Sequence, residues 1–175
     1  MSNEIITVLN SAELTDAIST ILPEELTLDD VAFLCIGSDR STGDALGPLV
    51  GHMLRDQGYE NVYGTLEYPV HSENLLDTLS IMQPGKTVIA VVATLGRSES
   101  IGKVTVGRRS VRPGAGVGNY RLPEIGHYSI TGVVNIAGYL EYQVINNSRL
   151  STVMRMADDI TAGLMARFPK EEGSK

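Results

Sequence analysis

Apolar and polar positions along this chain follow two rhythms. Residues 31–36, VAFLCI, form an unbroken apolar run, the pattern of a strand buried on both faces. TVIAVVATL at 87–95 is the strongest strand signal, rich in Val and Ile. IGKVTVG at 101–107 alternates as a half-exposed strand does, and 61–66 and SITGVV at 129–134 read as shorter strands. Helical spacing lies between these runs. Leu14, Ala17, Ile18 and Ile21 recur after Ser11, and Pro23 closes the segment, which predicts a helix over 11–22. From Ala45 to Gln57, Leu46, Leu49, Val50, Met53 and Leu54 share one face, with Gly58 as the stop. Ser72 is placed to cap a helix carrying Leu75, Leu76 and Leu79, which ends near Pro84 and Gly85. A helix is predicted from about Ile136. A second starts near Ser148, with Leu150, Val153, Met154, Ala157, Ile160 and Leu164 on one face. Residues 109–127 read as loop, with Gly114, Gly116, Gly118, Pro113 and Pro123, and the charged tail at 169–175 is expected to fray.

Strands alternating with helices predict an α/β sandwich with a largely parallel sheet. The 175 residues fit one domain spanning 1–175, with its core over about 30–168. Ligands of such sheets sit beyond the carboxyl ends of the strands. Residues 38–44, 66–72 and 94–99 all follow strands, so they are expected to converge on one edge.

Composition narrows the function classes. Hydrophobic content of 42% and charged content of 20% are those of a soluble globular protein. No apolar run is long enough to span a membrane, so no membrane partner is expected. MSNEIITVLN lacks the basic start and apolar stretch of a secretory signal. Cys35 is the single cysteine and lies inside an apolar run, which reads as a core thiol. Together these features predict a cytoplasmic protein. A formal net charge of -7, no tryptophan and only two phenylalanines argue against direct nucleic-acid binding. The same charge is no obstacle to a basic protein substrate.

The candidate chemistry sits in IGSDRSTGDALGPLV at 36–50, between the first apolar run and the next helical pattern. Asp44 reads either as a helix cap, favoured by the helix dipole, or as a pocket acid. Asp39 and Arg40 beside it either pair with each other or shape a site. Glu67 and His71 flank Tyr68, Pro69 and Val70 just after a strand. They read as loop residues, or as a base or metal-ligand pair, although their spacing is neither HxxxH nor HExxH. RPGAGVGN at 112–119 lacks the order of a phosphate-binding loop, and its glycines suggest unusual backbone or close approach. His127 reads as a structural histidine, and no GxSxG is present.

IGSDRSTGDALGPLVG, YGTLEYPVHSENL, LGRSESIGKVTV, RPGAGVGN, LPEIGHYSITGVVN and RLSTVMRMADDI, in that order, resemble the YyaC-type sporulation proteins over about residues 30–160. That family is similar to the germination protease of bacterial spores and, more distantly, to hydrogenase maturation endopeptidases. The resemblance implies a three-layer, phosphorylase/hydrolase-like α/β/α fold. It also implies a peptidase of sporulation or germination acting on a small spore protein, such as the small acid-soluble spore proteins. Asp44-Ala45-Leu46-Gly47-Pro48 matches the motif that carries one of the protease's two catalytic aspartates. The second would stand at the end of the central strand, where this chain has Ile89-Ala90-Val91-Val92-Ala93, with Val92 in place of the acid.

The implied catalytic set is Asp44, with Glu67 as partner and Arg97 as an orienting charge. Asp39 is the other candidate partner, and Asp39, Arg40, His71, Val92 and Asn119 are the implied pocket. The hydrogenase endopeptidases also use a histidine, a part open to His71 or His127. No cofactor is implied, and a divalent metal at the acid site stays open. Carboxylate hydrolysis needs one group to activate water and another to donate a proton. Loss of the acid at Val92 therefore keeps a second reading alive: a non-catalytic binding or regulatory protein on the same fold.

Overall fold

The computed structural model describes residues 4–114 and 121–170. Its centre is a sheet of six strands: β1 (Ile5–Val8), β2 (Val31–Ile36), β3 (Val62–Tyr63), β4 (Thr87–Gly96), β5 (Val104–Gly107) and β6 (Tyr128–Ile136). Their order is β1-β5-β6-β4-β2-β3. β6, β4, β2 and β3 run parallel, and β5 pairs antiparallel with both β6 and β1. Five helices accompany it: α1 (Ser11–Ile21), α2 (Leu46–Asp56), α3 (Leu75–Ile81), α4 (Glu141–Asn146) and α5 (Leu150–Arg167). The chain is thus a mixed α/β protein with a mostly parallel sheet, as the alternation of patterns predicts.

The unbroken apolar run of β2 has a simple cause. The strand lies between β4 and β3, and all six of its residues are buried. Alternate residues of a strand face opposite ways. Val31, Phe33 and Cys35 join a large cluster with Leu14 and Ile18 of α1, Leu46 and Leu54 of α2, and Met156 and Ile160 of α5. Leu34 and Ile36 join a smaller one with Val70, Leu75, Val92, Leu122 and Ile125. Phe33 meets Tyr59 and Phe168 edge-on, with ring centroids 6.2 and 5.8 Å away. Each such pair adds about 1 kcal/mol beyond burial. The Tyr59 hydroxyl donates to the Phe168 carbonyl at 2.7 Å, which pins the end of α5 beside β2.

The second cluster has less helical cover. Among the described residues, the seven-residue α3 is the one helix that contributes to it, with Val111, Leu122 and Ile125 from the loop after β5. That asymmetry leaves room for a cleft over the sheet.

Several boundaries differ from the sequence reading. β1, IITV, is not read as a strand from the sequence although all four residues are β-branched; with four residues the run is too short to set a period. β3 is two residues rather than 61–66, because Gly64 at φ 94° turns the chain away. Asn74, not Ser72, precedes α3, and Leu76 faces outward. The strand predicted at 129–134 runs on to Ile136, and the Ala137 N–H donates to the Gly96 carbonyl at 2.7 Å. The helix predicted from Ile136 therefore waits until Glu141, after Leu140 at φ 45°. The tail beyond 170, Gly116, Gly118 and Asn119 lie outside the described residues. Among the described residues, no helix is long and apolar enough to cross a membrane.

Candidate functional site

The loop after β2 is folded by its small residues. A Cβ on Gly37, at φ 151°, would collide with the Asp44 carbonyl. That close approach lets the Ser38 N–H donate to the same carbonyl at 3.1 Å, while the Gly37 N–H reaches the Val70 carbonyl at 2.8 Å. Gly43 donates to the Ile145 carbonyl at 3.0 Å, which ties the loop to the end of α4. Gly47 lets the first turn of α2 rest on the backbone of Ile36. Asp44 is thereby held over the carboxyl end of β2, in the turn before α2. The N-cap of α2 is Ala45, and no side chain caps that helix. The cap reading of Asp44 is corrected accordingly: its carboxylate is not spent on α2.

Asp44 opens on a cleft of about 830 Å³. Ile36, Val92 and Thr131 line it in register across β2, β4 and β6. Residues 38–41, 69, 71–73 and 109–114 supply further lining, as do Tyr142 and Ile145 of α4. Asp44 is half-buried, and desolvation is the main cause that pushes its carboxyl up to about 6. The Ser38 backbone N–H and the nearby His71 pull it partly back.

His71 is placed by its own loop. The Asn74 side chain accepts from the His71 N–H at 2.8 Å and donates to the Pro69 carbonyl at 2.9 Å. Nδ1 of His71 accepts from the Glu73 N–H at 3.3 Å. In the neutral ring this pattern assigns the proton to Nε2. A carboxyl that titrates near neutrality and an imidazole on the same cleft are suited to acid/base chemistry.

Asp44, Asp39, Arg40, His71 and Val92 come together on this cleft. Glu67 does not. It is exposed and lines a neighbouring cleft of about 800 Å³ with His52, Tyr63 and Tyr68. Arg97 lines neither cleft, and its exposed guanidinium stands 3.9 Å from Glu99. Asn119 falls outside the described residues. Asp39 and Arg40 are exposed, and no ion pair between them is found among the described residues. Cys35 is fully buried, with its thiol pushed up to about 12, which fits a core role. His127 accepts from the Val88 N–H at 2.9 Å, a structural use.

Sequence reasoning missed Thr131, Arg109, Arg112 and Tyr142 on the cleft. Thr131 carried a signal, as a polar residue on the inward face of SITGVV. It also missed Ser41, whose Oγ is buried without a hydrogen-bond partner. Among the described residues, no group of three or more His, Cys, Asp or Glu side chains is placed to hold a metal ion.

The profile of a family described as a protein of unknown function, DUF1256, matches residues 6–163. The chain is similar to a protein of Bacillus subtilis (strain 168) described as "Uncharacterized protein YyaC". The two are 45% identical over 139 residues, which cover 77% of this chain and 67% of the relative. No solved structure matches at a significant level.

Proposed function

This chain belongs to the DUF1256 family, and we propose that it is a peptide hydrolase whose acid/base pair is Asp44 and His71. The observation that carries the reading is a half-buried carboxyl, pushed up to about 6 by desolvation, on a large cleft that it shares with an imidazole. In the working state the pair holds one proton. Ionised Asp44 takes a proton from water as that water attacks the peptide carbonyl. Doubly protonated His71, its Nδ1–H formed at the expense of the Glu73 contact, gives that Nδ1 proton to the leaving nitrogen and returns to the neutral ring that accepts from the Glu73 N–H. General acid and base of this kind contribute about 10²–10⁴-fold each.

The resemblance to the spore germination protease supplies the setting of the proposal: a cytoplasmic peptidase of sporulating bacteria, with small acid-soluble spore proteins as its substrate class. A phosphorylase/hydrolase-like α/β/α layering belongs to the same proposal. It is supported by α1, α2 and α5 packing on one cluster and α3 on the other.

One observation favours a second reading, a binding protein on the same fold. Val92, 9% exposed, contributes only methyl groups to the cleft where the resemblance calls for a second aspartate. Incubating the chain and its Val92→Asp variant with an extract of small acid-soluble spore proteins separates the two, read by mass spectrometry of new termini. New termini from the unaltered chain support hydrolysis. New termini from Val92→Asp alone support the binding protein. None from either refutes hydrolysis of this substrate class.

A further inference from the structure

The chain is acidic, but its cleft is not. The net charge of the whole is -7, whereas the cleft lining sets Arg40, Arg109 and Arg112 against Asp39, Asp44 and Glu73, a formal balance of zero. The partners of these arginines differ. Arg112 stands 3.4 Å from Glu124. Arg40 and Arg109 are exposed and have no described ion pair or side-chain hydrogen bond. In a chain with 21 acids and 14 bases, opposite charge is plentiful, so two unmatched arginines on one cleft call for a reason. Lack of a partner is not the whole signal, since Arg149, outside the cleft, shares it. What matters is that both are held on walls of the same cavity.

Those walls are braced. The segment carrying Arg109 is fixed by reciprocal bonds between Val111 and Ile125, at 2.9 and 2.8 Å, and by Ser110 on Glu124 at 3.0 Å. The segment carrying Arg40 is tied down through the Arg40 N–H on Ser38 Oγ at 3.2 Å and the Gly43 anchor on Ile145. The two arginines come from different loops, one after β2 and one after β5, with Ile36, Val92 and Thr131 also on the cleft. Tyr142 lines it too, 71% exposed, with Tyr139 and Leu140 exposed just before it in the chain. Basic points from separate loops, combined with apolar and aromatic surface, suit an extended ligand that carries both carboxylates and apolar groups.

We propose that the Asp44 cleft receives an acidic peptide segment, with Arg40 and Arg109 meeting its side-chain carboxylates. This rests on the reading of the cleft as a peptide site, and it names the substrate class of that site. Charge-assisted contacts from exposed guanidinium groups set which sequences bind, and salt screens them.

The test is fluorescence anisotropy with two rhodamine-labelled, C-terminally amidated hexapeptide pools. One has Glu at its two central positions, the other Gln, and the remaining positions are randomised identically. At low salt the Glu pool is expected to bind roughly tenfold more tightly. The advantage falls about fivefold in the double variant Arg40→Gln/Arg109→Gln, whose melting temperature stays that of the unaltered chain. Equal binding of the two pools overturns the proposal, as does an advantage that survives the double variant. Inorganic phosphate that displaces the Glu pool at low millimolar concentration also overturns it, in favour of a compact-anion site. Cleavage is read separately on the same mixtures. A Glu advantage without cleavage refutes hydrolysis and keeps this inference, while cleavage without a Glu advantage does the reverse.

Discussion

Replacing Asp44 with Asn is expected to make the protein more stable at neutral pH. The carboxyl is raised from 3.8 to about 6, chiefly because burial opposes its charge. Between those values the folded state holds more protons than the unfolded chain. Stability therefore falls as pH rises through that window, and the deficit is complete above about 6. A shift of about two units corresponds to about 3 kcal/mol, and the group's partial opening to the cleft brings the expected effect to about 1–3 kcal/mol. Asn keeps the shape and removes the charge. Urea unfolding of both proteins at pH 7.5 and pH 4 reads the difference, in which the titration of every other acid cancels. Asp44→Asn is expected to be more stable at pH 7.5, with the gap closing towards pH 4. A variant less stable at pH 7.5, or a gap that ignores pH, would show that the folded state welcomes the charged carboxylate. The acid/base argument would then lose its footing.

His71→Gln removes the group that favours the Asp44 carboxylate, so the Asp44 midpoint is expected to move higher by carbon NMR; a downward move contradicts the assigned coupling. Gly47→Val drives a side chain into the backbone of Ile36 and is expected to cost more than about 2 kcal/mol in urea unfolding. An unchanged midpoint would refute the close helix–strand contact. Glu67→Gln alters a residue of the neighbouring cleft, so spore-protein cleavage is expected to keep most of its rate in a timed mass-spectrometric assay. Loss of cleavage would return Glu67 to the catalytic set.

The elements that were legible are those whose pattern reflects burial. β2 and β4 read as continuous apolar runs because other strands flank both, and α1, α2 and α5 read by their apolar stripes. β1 was missed although IITV is apolar at three of four positions, because four residues are too few for pattern alone to mark a strand. α4 was displaced because β6 runs on through Asn135 and Ile136, where backbone pairing rather than apolar pattern sets the boundary. At the site, IGSDRSTGDALGP marked the Asp44 loop because its glycines answer close contacts. Arg109, Arg112 and Tyr142 were hidden because only tertiary folding brings residues after β5 and on α4 to the end of β2. Glu67 follows β3 in sequence, as Asp44 follows β2, but its side chain serves the next cleft. Order along the chain places a residue near an edge without saying which way it faces.

The most direct test of the account is the cleavage of small acid-soluble spore proteins by the unaltered chain and by Asp44→Asn, followed as new termini by mass spectrometry near pH 6.5. The account predicts termini that accumulate with the unaltered chain and are absent with Asp44→Asn, whose fold persists in urea unfolding. Equal cleavage by both, or none by the unaltered chain, would contradict it.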